Sequence, residues 1–284
     1  MNFWGGLLSL LKTKMPQAEP YGVFHIVCFA LSIIAGIILV KKIKSPTQTQ
    51  VRKLLLIVSV AVIVLEVYKQ IVYCVSFDGS EFHFRYKWYV FPLQFCSTPM
   101  YIGLLGGIFK NEKFHRLCCA YLSSYAVFAG LSVMIGPYQV LTDVVGLNIQ
   151  TMVCHGSMIT IGIFLMCTNY VKTETRTLMQ ALPIFATVFT LAVVLNEIAY
   201  HAGFEQFNLF FISPHEQTVI PILSSIEKVC PAPIPQAVYF VTFSFIAWLI
   251  LMLFAGIRKL TEKKQGLTIH QDILMPTEKI KTKV

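Results

Sequence analysis

Charge is what this sequence lacks. Of its 284 residues only 13% are charged while 56% are hydrophobic, and the mean hydropathy is +0.67. Soluble domains carry roughly 25% charged residues, so a water-soluble fold of this size would have too little polar surface to cover its apolar side chains. Lipid is the solvent that fits. Acidic groups are the scarcer sign, 14 against 23 Lys and Arg. The basic excess forms no stripe interleaved with aromatics on a polar segment, which excludes nucleic-acid binding. It sits in short clusters beside apolar runs, where it orients helices and meets anionic headgroups.

Other absences narrow the class further. The eight cysteines include no CxxC pair and no metal-ligand spacing; most lie in apolar runs, where cysteine behaves as a small hydrophobe. Cys74 and Cys230 both fall at outer helix ends, where a disulfide is open to them, although spacing alone does not fix one. The N-terminal stretch has neither the basic start nor the small-residue cleavage site of a signal peptide. No internal repeat is present: Pro16-Gln17 and Pro235-Gln236 suggest PQ-loop transporters but do not occupy matching positions in two halves. The last apolar run contains no lysine to form a Schiff base, which excludes a retinal protein. No cofactor and no metal are expected.

What is present is a set of long apolar runs. Crossing the hydrocarbon takes about 20 mostly apolar helical residues, and seven segments qualify: Tyr21–Val40, Leu54–Val75, Tyr89–Phe109, Leu117–Ile135, Ile149–Val171, Leu178–Tyr200 and Ala237–Ile257. The third, fourth and fifth carry polar residues and are expected to face protein rather than lipid. Lys41, Lys42, Lys44, Arg52, Lys53, Lys110, Lys113, Arg116, Lys172, Arg176 and the Arg258–Lys264 cluster fall on one side; Lys12, Lys14, Arg85, Lys87 and Lys228 fall on the other. The positive-inside rule then places the N-terminus outside and the C-terminus in the cytoplasm. The expected fold is all-α, a polytopic membrane helix bundle of about seven helices, in three parts: an interfacial amphipathic segment over 1–20, a transmembrane domain over 21–257, and a basic cytoplasmic tail over 258–284, polar and unordered after Lys263. Localisation is the membrane, multi-pass, which is the plasma membrane if the source is bacterial; the partners are membrane lipids.

The longest connection, 201–236, lies outside and is itself apolar, with Phe207, Leu209, Phe210, Phe211, Ile212 and several prolines. Such a loop is expected to fold back onto the bundle as a lid or a re-entrant segment. Ionisable side chains inside a bilayer are costly and are candidates for function. At about 1.5 Å per residue, His25, Glu66, Lys69, Gln70, Gln94, Cys96, His155, Asn196 and Glu197 all fall in the outer half, on five helices, while the inner halves are nearly bare. This points to a polar pocket beneath the outer face. Glu66 and Lys69, three apart, can instead simply neutralise each other, and Asn196 can serve as interhelical glue. Cys118 and Cys119 read as packing, or as palmitoylation sites.

Cys96 and His155 share a depth. A thiolate nucleophile needs a neighbouring base, and lipid acyl groups lie at this level, so a thioester intermediate is chemically sensible. Cys154 is about 100° round the helix from His155 and is expected to point away from the site.

Phe91-Pro92-Leu93-Gln94-Phe95-Cys96 followed by Tyr101-Ile102-Gly103, then His155-Gly156, Asn196, Asn208-Leu209-Phe210-Phe211 with Pro214, and Pro235 with Tyr239, together resemble the motifs of YwaF-type integral membrane proteins. The resemblance runs from the second helix to the seventh and rests on order and spacing. It implies relatives among animal acyltransferases that build ether phospholipids through an acyl-cysteine, with Cys96 and His155 as the catalytic pair. Many bacterial members have histidine where this chain has Gln94, and an amide cannot act as a base.

The leading reading is a membrane-embedded phospholipid acyltransferase: Cys96 takes an acyl chain, His155 is base and then acid, and Glu66, Lys69, Gln94, Asn196, Glu197 and Asn208 bind or orient. Two alternatives stand beside it. One is a non-enzymatic small-molecule transporter or receptor. The other is a ceramidase-like intramembrane zinc hydrolase using His25, His155 and the Glu197–His201 pair.

Overall fold

The computed structural model describes residues 3–274. The chain is a helical bundle: α1 (Phe3–Leu11), α2 (Val23–Lys42), α3 (Gln48–Cys74), α4 (Thr98–Ile108), α5 (Glu112–Ser123), α6 (Tyr125–Ile135), α7 (Val145–Cys167), α8 (Thr175–His201), α9 (Pro221–Glu227) and α10 (Ile234–Leu274). Among the described residues six helical stretches are long and apolar enough to cross a membrane: α2, α3, the α5–α6 pair, α7, α8 and α10 up to Thr261. The α5–α6 and α7 stretches are 72% buried, against 17–28% for the other four. These two therefore form the centre of the bundle, and the rest present Ile, Leu, Val and Phe to lipid. That is where the polar-containing fourth and fifth segments were expected.

The third segment differs from expectation. It is no continuous helix over Tyr89–Phe109. Residues 88–90 and 95–97 form single 3-10 turns, residues 91–94 are non-helical, and only Thr98–Ile108 is α-helix. It still runs the length of α3. Gln70 Nε2 donates to the Val90 carbonyl at 2.7 Å near one end, and Arg52 donates to the Gly107 and Ile108 carbonyls at 3.0 and 2.8 Å at the other. Eighteen residues of α3 separate those anchors, about 27 Å at helical rise, close to the hydrocarbon thickness. Pro92 and Pro99 are the cause, since each removes an N–H and crowds the preceding turn. Gly107 permits the close fit to α3, because a Cβ there would stand 2.5 Å from Leu56 Cγ.

The fourth segment breaks at Ser124 (φ −124°, ψ −82°), where Ser123 and Ser124 turn their hydroxyls back onto the Cys119 and Ala120 carbonyls. Outside the bundle lies a small antiparallel hairpin that the all-α reading did not include, β1 (Val75–Phe77) paired with β2 (Phe82–Phe84) in the register Ser76↔His83. α1 exposes Phe3, Trp4, Leu7 and Leu10, and the segment after it is tied to the same face. Lys12 Nζ donates to the Val75 carbonyl at 2.6 Å, and Lys14 pairs with Asp143 at 2.8 Å. α10 continues past the expected Ile257, through good helix formers, to Leu274 rather than giving way to an unordered tail after Lys263; residues 275–284 of the expected tail lie outside the described residues. Cys74 and Cys230 are both free, so the possible disulfide is not formed.

Candidate functional site

The 201–236 connection does fold back. Phe207, Leu209, Phe210, Ile212 and Leu223 are buried in the main core. Two side-chain amides from different passes hold the turn. Gln94 Nε2 donates to the Asn208 carbonyl at 2.9 Å while its Oε1 accepts the Phe210 N–H at 2.8 Å. Asn196, 1% exposed, accepts the Leu209 N–H at 2.7 Å and donates to the Leu209 carbonyl at 3.1 Å. Asn208 ties the turn to itself by accepting the Ser213 N–H at 2.9 Å. The backbone needs such support, since Phe210 and Phe211 both adopt φ +57°, a left-handed conformation that bulky residues rarely enter.

Under this roof lies a cavity of about 350 Å³, lined mostly by apolar side chains. Cys96 and Gln94 form one wall; Phe128 and Ser132 of α6 face Tyr239, Thr242 and Phe243 of α10; Phe211, Ile220 and Leu223 of the connection close it. Cys96 itself is half-buried and sits on the 3-10 turn of the broken pass. Its neighbour Phe95 packs against Phe185, Phe210 and Phe243 at ring separations of 5.9, 5.7 and 5.2 Å, which fixes the turn that carries the sulfur.

His155 is buried on α7 and is not among the residues lining this cavity. Its Nδ1 donates to the Thr151 carbonyl at 2.7 Å, and its Nε2 is buried with no hydrogen-bond partner. α6 can approach it closely because residue 130 is glycine: a Cβ there would stand 2.7 Å from the His155 carbonyl oxygen.

The charged pair lies between these elements. Glu66 binds Lys69 at 2.8 Å and accepts from Gln70 at 2.8 Å and from Gln150 of α7 at 3.5 Å. Cys154 is buried and lines a narrow gap with Pro99, Met100 and Ser59, and it is not among the residues lining the Cys96 cavity. Gln150 ties α7 to the Glu66–Lys69 pair of α3, while Gln94 and Asn196 place their polar atoms on the roof.

Glu197 is not part of that ion-pair network. Its carboxylate meets His215 of the connection at 3.0 Å, and that ring stacks on Tyr200 at 3.6 Å. His25 accepts the Tyr21 N–H at 3.2 Å and His201 is exposed. Among the described residues no three His, Cys, Asp or Glu side chains stand together as a metal-binding group, so the zinc ligand set is not gathered. Sequence reading missed Gln150, although its place in an apolar run at the same depth was a signal. It also missed Ser132 and Thr242, which are small, hydrogen-bond within helices readily, and gave none.

Residues 20–258 match the model of the TMEM164 family. No curated protein and no solved structure matches the chain.

Proposed function

The chain belongs to the TMEM164 family, and from that premise we propose that it is a membrane-embedded phospholipid acyltransferase working through an acyl-cysteine. The observation that carries this reading is the position of Cys96 on an unwound stretch at membrane depth, at the wall of an apolar, roofed cavity. Irregular backbone at that depth is tolerated where it lines a cavity. The resemblance of Phe91–Cys96 and His155-Gly156 to YwaF-type motifs adds the acyl chemistry.

In the first half-reaction the Cys96 thiol gives its proton to His155 Nε2, and the sulfur attacks the ester carbonyl of a phospholipid. The S–C bond forms, the acyl C–O bond breaks, and the imidazolium returns the proton to the departing lysolipid oxygen. In the second, His155 takes the proton of a lysolipid hydroxyl, whose oxygen attacks the thioester; the C–S bond breaks and the thiol is restored. Thr151 holds Nδ1–H, leaving Nε2 as the basic nitrogen, and the Glu66–Lys69 pair supplies the field across sulfur and imidazole.

The test is intact-mass spectrometry of protein incubated with a phospholipid carrying a labelled acyl chain, with hydroxylamine to cleave thioesters. Wild type should gain one hydroxylamine-labile acyl group; Cys96→Ala should gain none, and His155→Ala should gain it at least a hundredfold more slowly. Labelling of Cys96→Ala equal to wild type overturns the reading. A ligand-binding protein without chemistry would bind lipid in both variants and turn over in neither.

A further inference from the structure

A second cavity, of about 470 Å³, opens at the cytoplasmic end, between the start of α3, the start of α5 and the connection into α8. It lies at the opposite end of the bundle from Cys96 and owes nothing to the acyl-transfer reading. Its wall includes His115, fully buried, with Nδ1 donating to the Gly106 carbonyl at 2.7 Å and Nε2 bonded to the Tyr170 hydroxyl at 2.8 Å. Those groups are satisfied within the protein and require no ligand.

The unsatisfied groups are of another kind. Lys172 and Arg176 line the cavity, are exposed, and make no ion pair or hydrogen bond through their side chains among the described residues. Arg116 is taken by Glu112. Gln48 presents a buried Nε2 with no partner. α8 begins at this cavity with no side-chain cap on its first turn; the Thr177 N–H is taken by the Glu174 carbonyl at 3.0 Å, which leaves the Thr175 and Arg176 N–H groups at its positive dipole end. Glu174 is the single acidic group here without a partner. Two free cations, a buried amide donor and an uncapped helix start all seek oxygen acceptors of negative charge, and an ion with several such oxygens meets them at once.

We propose that this cavity binds a phosphate group at the cytoplasmic face, carried on a lipid headgroup or on a soluble phosphorylated molecule. The test uses the full chain in nanodiscs of phosphatidylcholine, at constant ionic strength set with chloride. In one arm inorganic phosphate is titrated; in the other the discs contain increasing phosphatidic acid. Binding is read from the shift in melting temperature and from lipid retained in native mass spectrometry.

Saturable binding is expected in at least one arm, and the arm identifies the source. K172Q/R176Q should weaken it at least tenfold, Q48M at least threefold, and K41Q/K42Q, on the same face but outside the cavity, less than twofold. Cys96→Ala should bind as wild type. Absence of saturation in both arms, or equal weakening by the cavity and control pairs, overturns the proposal. Q48M carries the test should the double variant fail to fold.

Discussion

Gln94 holds the backbone of Phe210 across 116 positions of sequence, accepting its N–H at 2.8 Å. With the other end of the same amide on the Asn208 carbonyl, one side chain of the third pass fixes the roof above Cys96. Gln94→Ala leaves both backbone groups buried without partners, at about 1–3 kcal/mol each. The expected result is a lower melting temperature, with hydrogen exchange accelerating at residues 208–211 before the rest of the chain. Uniform acceleration would contradict the local role.

Asn196 grips the residue between those two, so the amides act on one object. Asn196→Leu should destabilise by about 2–3 kcal/mol. In a double-mutant cycle with Gln94→Ala the pair should be non-additive by at least about 0.5 kcal/mol. Additivity would show that the two clamps work independently.

Glu66 and Lys69 form a pair sealed by Gln70 and Gln150. Glu66→Leu strands the ammonium and should cost about 3 kcal/mol, while Glu66→Leu with Lys69→Met should recover most of it. Should the double variant be stable but slow in acyl transfer, the pair acts on the chemistry; if it is stable and fully active, the pair is structural only. Melting temperature and labelling rate on the same samples decide.

Gly130 gives α6 its close approach to His155. Gly130→Ala forces the helices apart and should cost about 1–3 kcal/mol. It should also slow thioester formation while leaving lipid binding unchanged, because the cavity wall at Phe128 and Ser132 survives. An unchanged labelling rate would separate that contact from the imidazole.

Asp78 is an acid-sensitive point outside the membrane. N–H groups of Glu81 and Ser80, with the His83 ring, hold its carboxyl below the usual range. A depressed folded pKa stabilises above the unfolded value of about 3.9 and is lost as pH falls below it. The Asp78 carboxyl carbon should show no titration by NMR between pH 6 and pH 4. Asp78→Asn should loosen the hairpin across that whole interval.

The passes themselves were legible because apolar runs of about 20 residues have few readings. That Gln94 and Asn196 lie at one level was legible too, since rise per residue is fixed and both reach the turn at 208–210. What each polar atom binds was not. Gln94 and Asn196 satisfy a backbone turn more than a hundred and ten and thirteen positions away respectively, a choice made by tertiary packing. The unwinding of the third pass had its signal in Pro92 and Pro99, outweighed by hydropathy.

That broken pass also settles a question of parity. A count of the long apolar helices is even, and an even count returns a chain to the side on which it started. The pinned segment from Val90 to Ile108 adds one more crossing without adding a long helix. A reporter fused ahead of α1 and another fused behind α10 therefore belong to different compartments, and a protease added to sealed right-side-out vesicles should reach only the first.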